Sequence, residues 1–376
     1  MSGDRPTVSV ILPTLNEAGN LALLVPRISK ALRGRDHEIL VVDDRSEDGT
    51  AAVCAELTRQ HAMRLLVRTE PKNGLSGAVL FGMAMARGEY LVVMDADLQH
   101  PPERLGAMLE PLEANRADFV LGSRYVPGGS VEGAWGSFRR LTSSVATVLA
   151  RPFARGVRDP MSGFFALRRR TFQAAQRLTP LGYKIGLELL SKCPIQRVVE
   201  LPIHFGTRVH GRSKLTLTEQ FRYLEHLSRL YDFRFPRASP IAKFSIVVAL
   251  GWLLAAGVAL AMRTGGAGPV TTTVLAYPAF LAVSALFFLR YVRTQREFLV
   301  TPRPWRDFLL ISALEWLTAV AVAVWASWRL DRPSPRELFL LPFGCATAVR
   351  YFLRKELLQD IRGLRRELRG GDLTDL

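Results

Sequence analysis

Short apolar runs rich in β-branched residues alternate, over the first third of the chain, with segments whose apolar positions recur at helical spacing. Val8 to Leu12 predicts a strand, and Leu21, Leu24, Val25, Ile28 and Leu32 fall on one face of the helix that follows. The pattern repeats with Glu38 to Val42 before Thr50 to Gln60, Arg64 to Val67 before Gly74 to Ala86, Tyr90 to Met94 before Glu103 to Leu112, and then Phe119 to Gly122. Strands and helices in this order predict an α/β fold whose mostly parallel sheet is covered on both faces. Further along the pattern changes to apolar segments at 241–262, 270–290, 308–329 and 337–353, against the roughly 20 residues that cross a bilayer. The fourth is the shortest and contains Pro342. The predicted organisation is a globular domain over 1–219, an amphipathic interfacial helix and linker over 220–240, an all-α transmembrane domain of about four helices over 241–353, and a basic tail over 354–376.

Open α/β sheets bind ligands outside the carboxyl ends of their strands, near a topological switch point. Polar clusters fall at those ends: Pro13-Thr-Leu-Asn-Glu17, Asp43-Asp-Arg-Ser-Glu-Asp-Gly-Thr50, Asp95-Ala-Asp-Leu-Gln99 and Gly122-Ser-Arg-Tyr125. Any one of them serves as well for a turn or helix cap. Together on one rim they predict a shared ligand. If the strand ending near Met94 stays extended, alternation points Asp95, Asp97 and Gln99 the same way. Carboxylate and amide oxygens suit Mg²⁺ or Mn²⁺, which keep positions open for water or phosphate. The competing expectation is that Asp97 or His100 ends the strand and caps a helix begun by Pro101 and Pro102.

The formal net charge of +16 fits anionic lipid, phosphate-bearing substrates or nucleic acid. Membrane-length segments put lipid and phosphate first, and no basic stripe interleaved with aromatics supports nucleic acid. Cys54, Cys193 and Cys345 form no CxxC pair, which excludes a disulfide framework or zinc site and predicts a reducing compartment. Met1 to Arg5 are polar and lead straight into a strand, so the head is expected to be cytoplasmic. Arg290, Arg293, Arg296, Arg303 and Arg306 after the second segment, and Arg354, Lys355, Arg362, Arg365, Arg366 and Arg369 in the tail, follow the positive-inside tendency, whereas Arg329, Arg332 and Arg336 run against it. A glycine-rich loop at 128–136 is expected to move over the site, with Arg139 and Arg140 opening a helix from Leu141 to Ala154 that Pro152 breaks. The basic, aromatic stretch from Gln220 to Phe235 has the character of a helix lying in a membrane interface. Glu315, inside the third apolar segment, is expected at a helix interface or cavity.

With these motifs in place the head resembles inverting glycosyltransferases of family 2 with the GT-A (Rossmann-like) fold, and within them the polyprenol-phosphate (dolichol-phosphate) mannose synthases. The resemblance runs over about residues 7 to 230 and also includes Lys72-Asn-Gly-Leu75, Asp159-Pro-Met-Ser-Gly-Phe164 and Arg208-Val-His-Gly-Arg-Ser-Lys214. It implies that Pro13, Leu15, Glu17, Val42 and Asp44 hold the base and ribose of a nucleotide sugar, GDP-mannose first. It implies that Asp95, Ala96, Asp97 and Gln99 hold the metal and the sugar diphosphate, with Arg208 and Lys214 closing over the nucleotide. Arg124, Arg139 and Ser143 are implied to grip the acceptor, a polyprenyl or dolichyl phosphate. The membrane segments are similar to a four-span module fused to some synthases of this family.

Leu15 stands where related sequences commonly carry an aromatic residue, Arg45 where a small residue is frequent, and Met161 where threonine is frequent. Asp159 and Glu188 are further carboxylates, expected to brace a loop or pair with an arginine rather than act as a base. Three rival functions stay open: a glucosyltransferase of the same chemistry using UDP-glucose, a processive polysaccharide synthase, and a flippase for lipid-linked sugar. Gln220-Phe-Arg-Tyr223 lacks the spacing and tryptophan of the polymerases' Gln-x-x-Arg-Trp motif.

Overall fold

The computed structural model describes residues 6–132, 145–176, 178–179, 181–207, 217–294, 303–330 and 337–357. The described residues fall into two compact units that divide between Arg234 and Phe235.

In the first unit, strands β1 (Val8–Thr14), β2 (His37–Asp43), β3 (Met63–Val67), β4 (Tyr90–Val93), β5 (Phe119–Ser123), β7 (Phe165–Arg168) and β8 (Val198–Pro202) form one sheet in the order β3-β2-β1-β4-β7-β5-β8. All pairings are parallel except those of β7, which runs antiparallel between β4 and β5. β6 (Ser130–Val131) and β9 (His204–Phe205) pair separately in parallel. Alternation along the strands splits the core between the two faces. Val8, Val10, Leu12, Ile39, Val41 and Val92 pack with α1 (Ala18–Ala31) and α4 (Leu105–Glu113) on one face. Ile11, Leu40, Val42, Leu91 and Val93 pack with α3 (Gly74–Met85) and the helix Ile185–Lys192 on the other. Gly82 lets α3 approach closely, since a Cβ there would lie 2.6 Å from Ile11 Cγ2. α2 (Thr50–Leu57) stops short of the predicted Gln60.

A helix over Leu217–Arg234 closes this unit. It buries Tyr223, His226, Leu227 and Leu230, and Tyr223 and Tyr231 donate from their hydroxyls to the carbonyls of Ala146 and Leu149 at 2.7 and 3.1 Å. Val145, Val148, Phe221 and Leu224 stay exposed around this packed pair of segments. An aromatic-rich helix with an outward apolar margin has the composition of an interfacial element. Of the helix expected from Leu141 to Ala154, the chain is helical over 145–150 and turns at 151–154, as the proline predicts.

The second unit comprises helices Ala238–Thr264, Pro269–Thr294, Pro304–Arg329 and Glu337–Leu357. Three contain stretches long and apolar enough to cross a membrane: Ala238–Thr264, Pro269–Leu289 and Trp305–Arg329. The fourth helix forms, but its apolar stretch, Phe339–Leu353, is shorter and includes Arg350. Small residues Ala255, Ala259, Ala276, Ala319 and Ala346 surround an aromatic centre of Tyr277, Phe280 and Phe343, allowing close helix approach. Leu253, Leu260 and Leu286 point outward, as lipid contact requires. Glu315 meets the expectation for its place: it is buried and its Oε2 accepts from Arg350 Nη1 at 3.1 Å.

Candidate active site

The strand order reverses between β1 and β4, which lie side by side, so the chain leaves both strands into one crevice. On its β1 and β2 side the backbone is laced by short polar side chains. Asn16 adopts a left-handed conformation at φ 57°, its N–H donates to Ser46 Oγ at 2.7 Å, and its Oδ1 accepts from Glu47 N at 2.9 Å. Asp43 accepts from both the N–H and the hydroxyl of Ser46. Ala18 N donates to Asp48 Oδ2 at 3.0 Å. Pro13 and Val42 are buried, whereas Leu15 is 39% exposed. Asp44 accepts two hydrogen bonds from Arg68, from Nε at 2.6 Å and from Nη2 at 2.9 Å. Arg68 also donates to the carbonyls of Lys72 and Gly74, and thereby links the Asp44 loop to the Lys72-Asn-Gly-Leu75 turn.

The acidic loop differs from its sequence-based geometry. β4 ends at Val93, and Leu98 is left-handed at φ 64°, so Asp95, Asp97 and Gln99 are not successive outward residues of an extended strand. Their arrangement is that of a turn. Gln99 N donates to Asp97 Oδ1 at 3.2 Å, and Gln99 Nε2 donates to Gly206 O at 3.0 Å. Only an amide nitrogen can donate to a carbonyl, so the side-chain oxygen of Gln99 is the acceptor end of the group. Neither Asp97 nor His100 caps a helix: the chain enters a 3₁₀ turn over Pro102–Arg104 with Pro101 at its cap position.

His100 instead braces the acidic loop from below. Its ring is buried between Phe164 and Phe205, with both centroids at 5.3 Å, and Nδ1 accepts the Asp95 backbone N–H at 3.1 Å. An accepting Nδ1 means the neutral ring with its proton on Nε2. Burial pushes His100 down to about 4 against the pull of Asp97, so the 3.8 Å approach of Asp95 Oδ2 is not an ion pair.

A single loop, Asp159 to Gly163, meets the site at alternate residues. Buried Asp159 accepts from Arg124 Nε and Nη2, both at 2.7 Å, and from Arg124 N at 3.0 Å. Burial opposes the guanidinium charge, but Asp159 outweighs it and raises Arg124 above the ordinary arginine value. The Arg124 guanidinium carbon also lies 5.3 and 5.2 Å from the rings of Tyr125 and Phe205. Met161 O accepts from Lys184 Nζ at 2.7 Å. At Gly163 a Cβ would come within 3.0 Å of Asp95 Oδ2, so only glycine leaves that carboxylate its room. Burial, then the charge of Arg124, push the Lys184 ammonium down to about 8 against the pull of Asp95 and Asp159.

Of the other implied site residues, Arg139, Ser143, Arg208 and Lys214 lie outside the described residues. Glu188 is buried away from any such role: Oε1 accepts from Lys192 Nζ at 2.7 Å and from Thr179 N at 2.6 Å, while Oε2 lies 3.2 Å from His226 Nε2. Burial raises this carboxyl, but Lys192 and His226 together hold it down at about 2. Sequence reasoning did not single out Arg68, His100 as a brace, or Lys184. Of these only His100 carried a local signal, its place in the Asp-x-Asp-x-Gln-His run.

A GT-A sheet with an acidic loop at its switch point, facing a carboxylate-braced arginine, is the site of a glycosyltransferase. The model of glycosyl transferase family 2 matches residues 9–174. The chain is 45% identical over 253 residues to the dolichol-phosphate mannosyltransferase of Pyrococcus furiosus, covering 66% of this chain and 70% of that one. It is 41% identical over 244 residues to the protein of the same name from Mycosarcoma maydis, covering 62% of this chain and 82% of that one. This chain belongs to glycosyl transferase family 2, in the branch of the dolichol-phosphate mannosyltransferases. A solved structure of glucosyl-3-phosphoglycerate synthase from Mycobacterium tuberculosis in complex with Mn²⁺ and UDP is more distant, with a TM-score of 0.45 and 21% identity over 61% of this chain and 80% of that one.

Proposed function

We propose that this enzyme transfers mannose from GDP-mannose to a polyprenyl (dolichyl) phosphate at the cytoplasmic face of a membrane, inverting the anomeric carbon to a β-linked product. The observation that carries the proposal is the 45% identity over 253 residues to a dolichol-phosphate mannosyltransferase, beside a family match over residues 9–174 that contains the acidic loop and Arg124. The exposed apolar margin of the helix Leu217–Arg234 and the three membrane-length helices support a lipid acceptor.

The residues present fit a hard divalent ion. Asp95, Asp97 and the Gln99 amide oxygen are oxygen donors, and Gly163 keeps space at the Asp95 carboxylate. Such oxygen donors suit Mg²⁺ or Mn²⁺, which keep positions for substrate oxygens and water. Bound there, the ion supplies positive charge toward the diphosphate leaving group.

The chain's own residues do the rest. The rim of Pro13, Leu15, Glu17, Val42 and Asp44 holds the nucleoside, with Asp44 fixed in place by Arg68. Arg208 and Lys214 close on the diphosphate. Arg124, Arg139 and Ser143 grip the lipid phosphate, and Asp159 fixes Arg124 before the substrate arrives, which lowers the cost of ordering it. A lipid phosphate is anionic at neutral pH and is itself the nucleophile. One of its oxygens bonds to the anomeric carbon as the bond to the diphosphate oxygen breaks, and in-line displacement inverts that carbon. No carboxylate base is required, in keeping with the commitment of Asp159 and Glu188 to cationic partners.

The test is transfer of radiolabel from GDP-mannose, with UDP-glucose in parallel, into organic-extractable lipid by the full-length protein with polyprenyl phosphate, with and without EDTA. EDTA-sensitive labelling from GDP-mannose is expected. Labelling from UDP-glucose alone overturns the donor, and no lipid labelling from either overturns the acceptor.

A further inference from the structure

We propose that Lys184 is a further cation for the acceptor phosphate, its ammonium binding a phosphate oxygen beside Arg124; this rests on the lipid-phosphate function proposed above. The argument begins with charge. Asp159 is fully buried and faces Arg124 through two 2.7 Å hydrogen bonds, so that pair brings little net charge to an anion. A phosphate monoester carries roughly −1.5 to −2 at neutral pH. The braced arginine supplies direction, and beyond it only Arg139 among the cations assigned above serves the acceptor, so a further positive charge beside Arg124 offsets more of the anion's.

Lys184 is half-buried at the head of the helix Ile185–Lys192 and is held by the same loop that holds Arg124, with Asp159 gripping one cation and the Met161 carbonyl accepting from the other at 2.7 Å. An ammonium has three donors, and the Met161 bond uses one. The carbonyl it binds lies between Asp159, which grips Arg124, and Gly163, which abuts the Asp95 carboxylate, and this puts it at the boundary between the acidic loop and the arginine. A half-buried ammonium is costly to hold, and that cost is relieved when an anion meets it. The donor diphosphate has the acidic loop's divalent ion and the late basic pair as partners, whereas the acceptor phosphate has no such ion. This places Lys184 on the acceptor side.

The rival role is a plain prop for the Met161 carbonyl. A prop requires only a hydrogen-bond donor, while anion binding requires charge, so the variants separate the two. Full-length Lys184→Gln, Lys184→Met and Lys184→Arg are assayed with GDP-mannose saturating and polyprenyl phosphate varied, then the reverse, with thermal melting as the check on folding. Expected are a rise of tenfold or more in acceptor KM for the glutamine and methionine variants, donor KM within twofold, and recovery of most of the loss by arginine. Inorganic phosphate, competing with the acceptor, should inhibit Lys184→Gln correspondingly more weakly. If Lys184→Met melts early, the comparison of glutamine with arginine alone decides. Glutamine restoring acceptor KM as well as arginine, a rise confined to donor KM, or no change in either overturns the assignment. Wild-type protein that labels no lipid overturns the underlying function instead.

Discussion

The two ends of the central sheet use the same kinds of residue to opposite effect. At the end where β1 and β2 begin, the Glu38 carboxylate is buried and surrounded by donors: Oε1 accepts from Ser9 Oγ and Arg87 N, each at 2.7 Å, and Oε2 accepts from Arg64 Nη2 at 2.8 Å. Ser9 Oγ in turn accepts the Gly88 N–H at 2.8 Å, which closes the network. Burial raises the Glu38 carboxyl, but these donors prevail and lower it. At the other end Asp95 is 32% exposed, on a turn whose backbone is fixed from below by His100 and whose carboxylate is given room by Gly163. A buried carboxylate ringed by donors on every side holds the fold. One on a part-exposed turn, with its backbone held from below and glycine beside its carboxylate, is placed to meet a ligand.

The strongest way to break that contrast is Asp97→Ala, which should lower turnover by roughly a thousandfold or more, about 4 kcal/mol of transition-state stabilisation, while melting stays near wild type. Normal turnover in a steady-state assay would remove the acidic loop from the chemistry. Next comes Glu188→Gln, a change to a closed network beneath the site. The Glu188 carboxyl sits at about 2 against 4.5 in its ordinary state, so its contribution is complete above pH 4.5 and is lost as pH falls from 4.5 through 2. The variant should be less stable by about 3 kcal/mol at neutral pH, with a deficit in chemical unfolding that shrinks through that acid window. A deficit independent of pH would deny the ion pair. Glu38→Ala, at the far rim, should lose about 2 kcal/mol of stability, because Arg87 N–H and Ser9 Oγ lose their acceptor. Its activity per folded molecule should be unchanged, and a KM defect would undo the distinction between the rims. The smallest effect is expected of Leu15→Tyr, which offers the donor's base a ring to stack on and should lower donor KM two- to threefold, about 0.5 kcal/mol.

The parallel part of the sheet and the polar clusters at the carboxyl ends of its strands were legible because β-branched runs and helical periodicity are strong local signals. β7 was not, since Phe165–Arg168 is four residues of ordinary apolar character whose antiparallel place between β4 and β5 depends on distant partners. Extended alternation predicted the wrong geometry for Asp95, Asp97 and Gln99, because the left-handed turn at Leu98 has no signature in a leucine. Lys184 escaped notice for another reason: its meaning comes from a carbonyl 23 residues earlier in the chain. Arg350 within the fourth helix is accommodated by the buried Glu315 of the preceding helix.

The loop from Asp159 to Gly163 constrains how this protein can change over evolutionary time. Loops ordinarily absorb insertions and deletions. Here residues 159, 161 and 163 meet Arg124, Lys184 and Asp95 in turn, so adding or removing one residue would hand each charge to the wrong neighbour. The segment is as fixed in length as a strand register, which leaves insertions and deletions to other loops of the crevice.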